Sequence, residues 1–173
     1  MLDLVSAVNL PGWMTYEELV WLAKQAQKHE RIVEIGCYQG KSTRALADNT
    51  KGFVVAVDNF KGPNDVSLPR FMRDNLLEMF IMGTTDLIQA KKVIPIVADH
   101  ADINIDFSPD MVFLDGSHVY EDIKRDIELW KPRIVKGGIL CGHDYTNIED
   151  VRQATADTLG RVKLARGTSI WYV

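Results

Sequence analysis

Short apolar runs alternate along the chain with stretches that have helical periodicity. Five runs have the length and near-continuous apolar content of strands covered by helices on both faces, at residues 32–35, 53–57, 93–97, 111–114 and 139–142. Helical patterns separate them, and we expect helices at about residues 15–26, 41–48, 68–82, 119–130 and 148–159. Two further apolar segments, residues 162–165 and 169–173, flank a turn at Arg166-Gly167 and predict a hairpin. The pattern therefore predicts an α/β fold.

Local signals fix several of these helix boundaries. Thr15-Tyr16-Glu17-Glu18 has the form of a capping box, which opens a helix. Pro69 suits the first turn of a helix, because its missing N–H has no partner there in any case. Lys136-Gly137-Gly138 predicts the turn into the fifth strand.

Composition narrows the class of protein. The 173 residues are 46% hydrophobic and 25% charged, without repeats or a Gly/Ser linker, so we expect one domain over residues 1–173. A net charge of -4 argues against general nucleic-acid binding. The absence of a leader pattern and of a membrane-length apolar run predicts a cytoplasmic protein without membrane contact. Cys37 and Cys141 are then expected to be reduced thiols.

Acidic residues and glycines mark the ends of the first two strands. Glu34, Gly36 and Gly40 surround the end of the first strand, and Asp58 closes the second. Open α/β sheets build nucleoside sites in this way, since glycine lets the backbone approach the ligand and an acid accepts hydrogen bonds from ribose hydroxyls. The Gly36-x-x-x-Gly40 spacing differs from the Gly-x-Gly-x-x-Gly of dinucleotide enzymes, which disfavours an NAD-dependent reductase.

This pattern resembles motifs I and II of class I S-adenosylmethionine (SAM)-dependent methyltransferases. The resemblance implies a doubly wound, Rossmann-like sheet of seven mostly parallel strands, with a C-terminal antiparallel hairpin strand and helices on both faces. It also implies SAM as cofactor, with the motif I residues at its methionine part, Asp58 at both ribose hydroxyls, and Asp99 with His100 near adenine. The implied cofactor contacts are Glu34, Gly36, Cys37, Tyr38, Gly40, Ser42, Asp58, Asn59, Asp99, His100 and Asp115.

A second group of polar residues follows the fourth and fifth strands. Asp115 and His118 come after the fourth strand, and His143 with Asp144 ends the fifth. Neighbouring parallel strands deliver these side chains to one rim of the sheet. The paired carboxylates of Asp115 and Asp144 suit a divalent ion such as Mg²⁺ or Ca²⁺ better than zinc, and His143 is within reach as an additional ligand. Such an ion lowers the pKa of a bound hydroxyl, and His118 is the candidate base, beside Asp115 and Asp144 as catalytic residues.

These residues resemble those of metal-dependent small-molecule O-methyltransferases. Phe113-Leu114-Asp115 is similar to the catechol type, and Asp115-Gly116-Ser117-His118 to the macrolide-sugar type, in which the equivalent histidine acts as base. The Gly-His-Asp-Tyr run at residues 142–145 is typical of related small stand-alone bacterial and phage methyltransferases. This chain departs from both types, since Tyr145 replaces the asparagine of the catechol type and His143 replaces an acid of the sugar type.

The resemblance therefore predicts methyl transfer from SAM to an oxygen of a small molecule or sugar, with a divalent metal as an optional aid. Two alternatives stay open. One is a metal-independent N-methyltransferase, in which Asp115 and His118 orient an amine. The other is a SAM- or nucleotide-binding module without catalysis, which would have no need for Asp115, His118 and Asp144 together. A homodimer is a further expectation, whereas the acceptor itself is not specified by any residue.

Overall fold

The computed structural model describes residues 1–62, 68–99 and 103–173. The strands form one seven-stranded sheet in the order β3-β2-β1-β4-β5-β7-β6. The strand bounds are β1 (Arg31–Ile35), β2 (Phe53–Asp58), β3 (Val93–Val97), β4 (Met111–Leu114), β5 (Ile139–Gly142), β6 (Lys163–Leu164) and β7 (Trp171–Tyr172). The expected doubly wound, mostly parallel sheet is confirmed.

The register aligns the carboxyl ends of the parallel strands at one edge. β1 lies at the centre, where Ile35 pairs with Val57 of β2 and with Leu114 of β4. Leu114 pairs in turn with Gly142 of β5. The polar residues that follow these strands are therefore neighbours in space. β7 runs antiparallel to both β5 and β6, which confirms the hairpin, although each of its strands has only two residues.

Helices cover both faces of the sheet, as the apolar strands require. The helix bounds are α1 (Val5–Asn9), α2 (Tyr16–Ala26), α3 (Lys41–Ala47), α4 (Arg70–Asp74), α5 (Leu76–Gln89), α6 (Tyr120–Trp130) and α7 (Glu149–Leu159). α2, α3 and α5 pack on one face, and α6 with α7 on the other. No helix in the described ranges is both long enough and apolar enough to cross a membrane.

Two predicted helix boundaries differ from the structure. The single helix expected at residues 68–82 is two helices that meet at Asn75, whose ψ of 15° lies outside the helical range. α5 then continues beyond the expected end, through Gly83 and Thr84. Gly83 packs against Leu10, and the Thr84 side chain lies close to Gly40, so tertiary packing overrides the poor helix propensity of this segment. α1 was not predicted, because five residues carry too little periodicity.

Candidate active site

A cleft of about 970 Å³ opens at the carboxyl ends of β1, β2, β4 and β5. Its volume is at the upper end of the range found for small-molecule sites. Strand ends form its floor, and a segment at residues 11–15 before α2 forms one wall. Trp13 on this wall is 58% exposed and lies 4.8 Å from the ring of Tyr38, measured between ring centroids. Trp13 therefore borders the cleft and contacts the turn after β1.

The turn after β1 brings the backbone of two strands into close approach. Gly36 has a φ of 84°, and a Cβ at this position would lie 2.1 Å from the Asp115 carbonyl oxygen. Only glycine satisfies both the left-handed backbone and this contact. Gly36 lines the cleft together with Cys37, Tyr38 and Ser42. Cys37 is a free, buried thiol whose pKa is raised by burial.

Glu34 and Gly40 have surroundings that differ from those expected. Glu34 is fully buried, with Oε2 accepting a 2.5 Å hydrogen bond from the Thr43 hydroxyl. Burial raises its pKa to about 8. A Cβ on Gly40 would contact Thr84 of α5 at 3.0 Å, so this glycine makes room for α5. Neither residue belongs to the cleft wall that the described residues form, and their roles as cofactor contacts stay predictions.

Asp58 lies at the cleft, at the end of β2. Its Oδ2 accepts from the Tyr38 N–H at 2.9 Å, and its Oδ1 accepts from the Phe60 N–H at 2.7 Å. Both donors belong to residues with positive φ, so the carboxylate fixes the two adjoining turns. Each oxygen keeps further lone-pair capacity for a ligand.

The wall at the ends of β2 and β3 contains two more of the predicted residues. Asn59 donates from its side-chain amide to Asp99 Oδ1 at 2.8 Å, and both residues line the cleft. Lys61 lies 3.6 Å from the other oxygen of Asp99. His100, predicted to lie near the adenine, is outside the described residues.

The residues that follow β4 and β5 form one compact cluster. His143 Nδ1 lies 3.4 Å from Asp115 Oδ1 and 3.2 Å from Asp144 Oδ2. His118 Nε2 lies 3.2 Å from the same oxygen of Asp144. One ligand atom from each of Asp115, His143 and Asp144 falls within 4.8 Å of the other two. The structure thus brings together all four residues of the second polar group that the sequence predicted, while their roles stay predictions.

Burial and close contacts shift the pKa values in this cluster. Burial alone would lower the pKa of His143, but its contacts with three carboxylates outweigh burial and raise the pKa to about 12. Burial raises the pKa of Asp115. For Asp144 the effect of burial is outweighed by contacts with both histidines, and the pKa lies well below its usual range.

Glu18 is a member of this cluster that sequence reasoning missed. Its Oε1 lies 3.0 Å from His143 Nε2, and the same oxygen accepts from the N–H and hydroxyl of Ser169. Burial acts against ionisation of Glu18, but the contacts with His143 and Ser169 lower its pKa below the usual range. The sequence assigned Glu18 only to the capping box, which it does complete with Thr15. Nothing in the sequence connects it with His143, since that contact exists only in the folded chain.

Comparisons with known proteins agree with this architecture. A family model described as "Methyltransferase domain" matches residues 33–145. The chain is similar to the crystal structure of SAH-bound PaMTH1, a Podospora anserina methyltransferase, with a TM-score of 0.70, 14% identity, and coverage of 96% of this chain and 82% of that one. It is also similar to the calicheamicin methyltransferase CalS11, with a TM-score of 0.66, 18% identity, and coverage of 90% and 76%. Because the sequence identities are below 25%, these similarities are evidence for the fold alone.

A curated relative, the uncharacterized protein y4gI of Sinorhizobium fredii (strain NBRC 101917 / NGR234), is 25% identical over 131 residues. The match covers 72% of this chain but only 14% of the length of that relative. The family model, by contrast, covers more than half of this chain and includes both strand-end groups that form the cleft. The protein therefore belongs to the methyltransferase-domain family.

Proposed function

We propose that the protein transfers a methyl group from SAM to a hydroxyl oxygen of a small molecule or sugar. The observation that carries the proposal is the position of the cluster of His118, Asp115, His143 and Asp144 in the same cleft as Asp58. This arrangement combines a nucleoside-binding acid with groups for deprotonating an acceptor. A binding module without catalysis has no use for the second group.

The chemistry of the cleft suits SAM, which carries a positive charge on sulfur. Acidic side chains outnumber basic ones in the described lining, which contains Glu18, Asp58, Asp99, Asp115, Asp122 and Asp144 against Lys41, Arg125 and the two histidines His118 and His143. Such a lining attracts a cation. Asp58 is well placed for the ribose because a carboxylate accepts bonds from two hydroxyls at once. Relatives support the same cofactor, since PaMTH1 is described as SAH-bound.

His118 is the proposed general base. Its imidazole is 28% exposed and lies in the cleft, where an acceptor hydroxyl can reach it. The adjacent Asp144 carboxylate stabilises the imidazolium that forms when His118 takes a proton. The rest of the cleft orients the acceptor so that its oxygen attacks the methyl group in line with the bond that breaks.

The cluster also fits a divalent cation. Asp115, His143 and Asp144 would hold it, because their ligand atoms already converge on one point. A bound cation would supply Lewis-acid stabilisation of the acceptor oxygen. His143 would present a lone pair at Nδ1 to such a cation. A metal-independent N-methyltransferase remains the alternative.

The acceptor class rests on the relatives. CalS11 is described as a TDP-rhamnose 3'-O-methyltransferase, and this chain shares its fold. The exposed indole of Trp13 at the cleft mouth offers a flat apolar surface of the kind on which a sugar or planar ring packs. We therefore place the acceptor between Trp13 and His118.

The test has two stages. The first is calorimetric titration of chelator-treated protein with SAM and with SAH. Micromolar binding is expected, and its absence overturns the proposal. The second is incubation with methyl-labelled SAM and a panel of nucleotide sugars, free sugars, catechols and amines, with mass spectrometry of the products. Methyl transfer to hydroxyl acceptors is the expected result, and transfer to amines alone would establish the nitrogen alternative.

A further inference from the structure

Glu18 uses its two carboxylate oxygens for different purposes. It occupies the third position of α2, and its Oε2 accepts from the backbone N–H of Thr15 at 2.9 Å. This bond completes the capping box and requires only one oxygen. The other oxygen, Oε1, points into the interior, where Ser169 donates to it from its N–H at 3.0 Å and from its hydroxyl at 2.8 Å. The side chain is thereby held in one orientation.

The fixed oxygen of Glu18 lies against one of the two ring nitrogens of His143. Oε1 lies 3.0 Å from Nε2, an ion-pair distance, although the two atoms are not aligned for a hydrogen bond. A carboxylate attracts a protonated nitrogen and repels a lone pair, so this position favours a proton on Nε2 over a proton on Nδ1. Nδ1 is then the ring atom that can present a lone pair, and it faces Asp115 and Asp144.

A carboxylate behind a histidine ligand is a recurring element of metal sites. It fixes the tautomer and the orientation of the ring and increases the basicity of the ligand nitrogen. His143 is 7% exposed and Glu18 is 3% exposed, so water does not compete strongly for this contact. The proposed metal site therefore offers two carboxylate oxygens, from Asp115 and Asp144, and one preoriented imidazole nitrogen, Nδ1 of His143.

This donor set differs from the one that Mg²⁺ and Ca²⁺ prefer. Both are hard cations that take oxygen ligands, whereas an imidazole nitrogen favours first-row transition metals. A set of one nitrogen and two oxygen ligands thus favours a first-row transition metal over Mg²⁺ or Ca²⁺.

We propose that Glu18 is a positioning residue for His143, and that the resulting site binds a transition-metal dication such as Co²⁺ in preference to Mg²⁺ or Ca²⁺. The inference deepens the proposed function and rests on its metal site at Asp115, His143 and Asp144. It departs from the Mg²⁺ or Ca²⁺ that the strand-end acids alone suggested.

The first experiment measures metal affinity by calorimetric titration of chelator-treated protein with CoCl₂ and, separately, with MgCl₂. Wild type is expected to bind Co²⁺ at least about 10-fold more tightly than Mg²⁺. Glu18→Gln should weaken Co²⁺ binding by about 10- to 100-fold, the usual effect of removing such a supporting carboxylate. Glu17→Gln, at the exposed neighbouring position, is the matched control and should bind as wild type does. Equal Co²⁺ affinity in wild type and Glu18→Gln overturns the positioning role.

The second experiment keeps the proposal testable if Glu18→Gln does not fold. His143→Glu exchanges the nitrogen ligand for oxygen and should reduce the preference for Co²⁺ over Mg²⁺ by about 10-fold or more. In Zn²⁺-loaded wild type, ¹⁵N chemical shifts of the His143 ring should show a proton on Nε2 and the metal on Nδ1. The reverse assignment, or an unchanged metal preference in His143→Glu, overturns the proposal.

Titration of the same samples with SAH separates this inference from the proposed function. Metal binding that follows the predicted pattern without SAH binding would leave the metal site established and remove SAM from the function. SAH binding by a wild type that prefers Mg²⁺, or binds neither metal, would leave the cofactor proposal standing and overturn the site proposed for Co²⁺.

Discussion

His118 Nε2 and His143 Nδ1 both lie 3.2 Å from the same oxygen, Oδ2 of Asp144. One carboxylate oxygen therefore connects the proposed base with the proposed metal ligand. Asp144 holds this position with a φ of 60°, and the side-chain amide of Asn147 donates to its other oxygen at 3.2 Å. The strained backbone and the additional donor fix the carboxylate between the two imidazoles.

Replacement of His118 should separate catalysis from binding. His118→Ala is expected to lower kcat by about 10²- to 10⁴-fold, the usual contribution of a general base, while the Kd for SAH stays within about 3-fold of wild type. The measurement is steady-state kinetics together with calorimetry. His29→Ala is the control, since His29 contacts the Gln25 carbonyl at the opposite edge of the sheet. An unchanged kcat in His118→Ala would remove the base assignment.

Loss of the Asp58 carboxylate should weaken cofactor binding. Hydrogen bonds to a charged group contribute about 1.5–3 kcal/mol, so Asp58→Ala should raise the Kd for SAH by about 10- to 100-fold. The turns at Tyr38 and Phe60 also lose an anchor, which adds to the effect. Asp106→Ala, at an exposed aspartate, should bind as wild type does. Calorimetric titration with SAH measures the three affinities. Equal affinities in wild type, Asp58→Ala and Asp106→Ala would refute the assignment of Asp58 to the ribose.

Two glycines with nearly equal φ allow steric contact to be separated from backbone strain. Gly36 and Gly137 have φ values of 84° and 87°, but only Gly36 has backbone atoms in the place of a Cβ. Gly137→Ala should cost about 1–2 kcal/mol of unfolding free energy, the cost of a left-handed alanine. Gly36→Ala should cost clearly more, because β1 and β4 must move apart. Urea denaturation of both variants tests this, and equal losses would show that the close approach is unimportant.

Glu34 should make stability depend on pH. Its pKa is about 8 in the folded protein and about 4.5 when unfolded, so between these values the folded state holds a proton that the unfolded state lacks. Stability contributed by this group is therefore lost as pH rises from 4.5 to 8. Glu34→Gln removes the effect and should be more stable than wild type at about pH 8.5 by as much as about 5 kcal/mol, with the difference vanishing near pH 4.5.

The measurement is urea denaturation of cofactor-free protein across this pH range. Glu17→Gln serves as the control for an exposed glutamate and should follow the wild-type curve. A Glu34→Gln curve parallel to that of wild type would show that Glu34 ionises normally despite its burial.

Features encoded locally in the sequence were predicted well. The apolar runs that end in Asp58 and Asp115 identify the strands, and parallel pairing then places the following residues at one edge. The same logic predicts that His118 and Asp144 are neighbours, and their side chains are in contact in the folded protein. Each of these signals lies within a few residues of the element it defines.

Features that depend on distant contacts were not predicted. Gly40 matches a cofactor turn, yet its missing side chain makes room for Thr84, and α5 extends through a segment of poor propensity because it packs there. Glu18 is fully explained by its helix cap when the sequence is read locally. Its partner Ser169 is 151 positions away, a separation that no periodicity or motif connects.

The bond between Glu18 and Ser169 has a consequence for the order of events during synthesis. Strands β1 to β5 and the helices between them precede Ser169 in the chain, so most of the sheet has been translated before this residue leaves the ribosome. Until then Glu18 has the Thr15 N–H as a donor to Oε2 but lacks the two Ser169 donors to Oε1. The Glu18 carboxylate therefore reaches its final orientation only after the central strands have been synthesised.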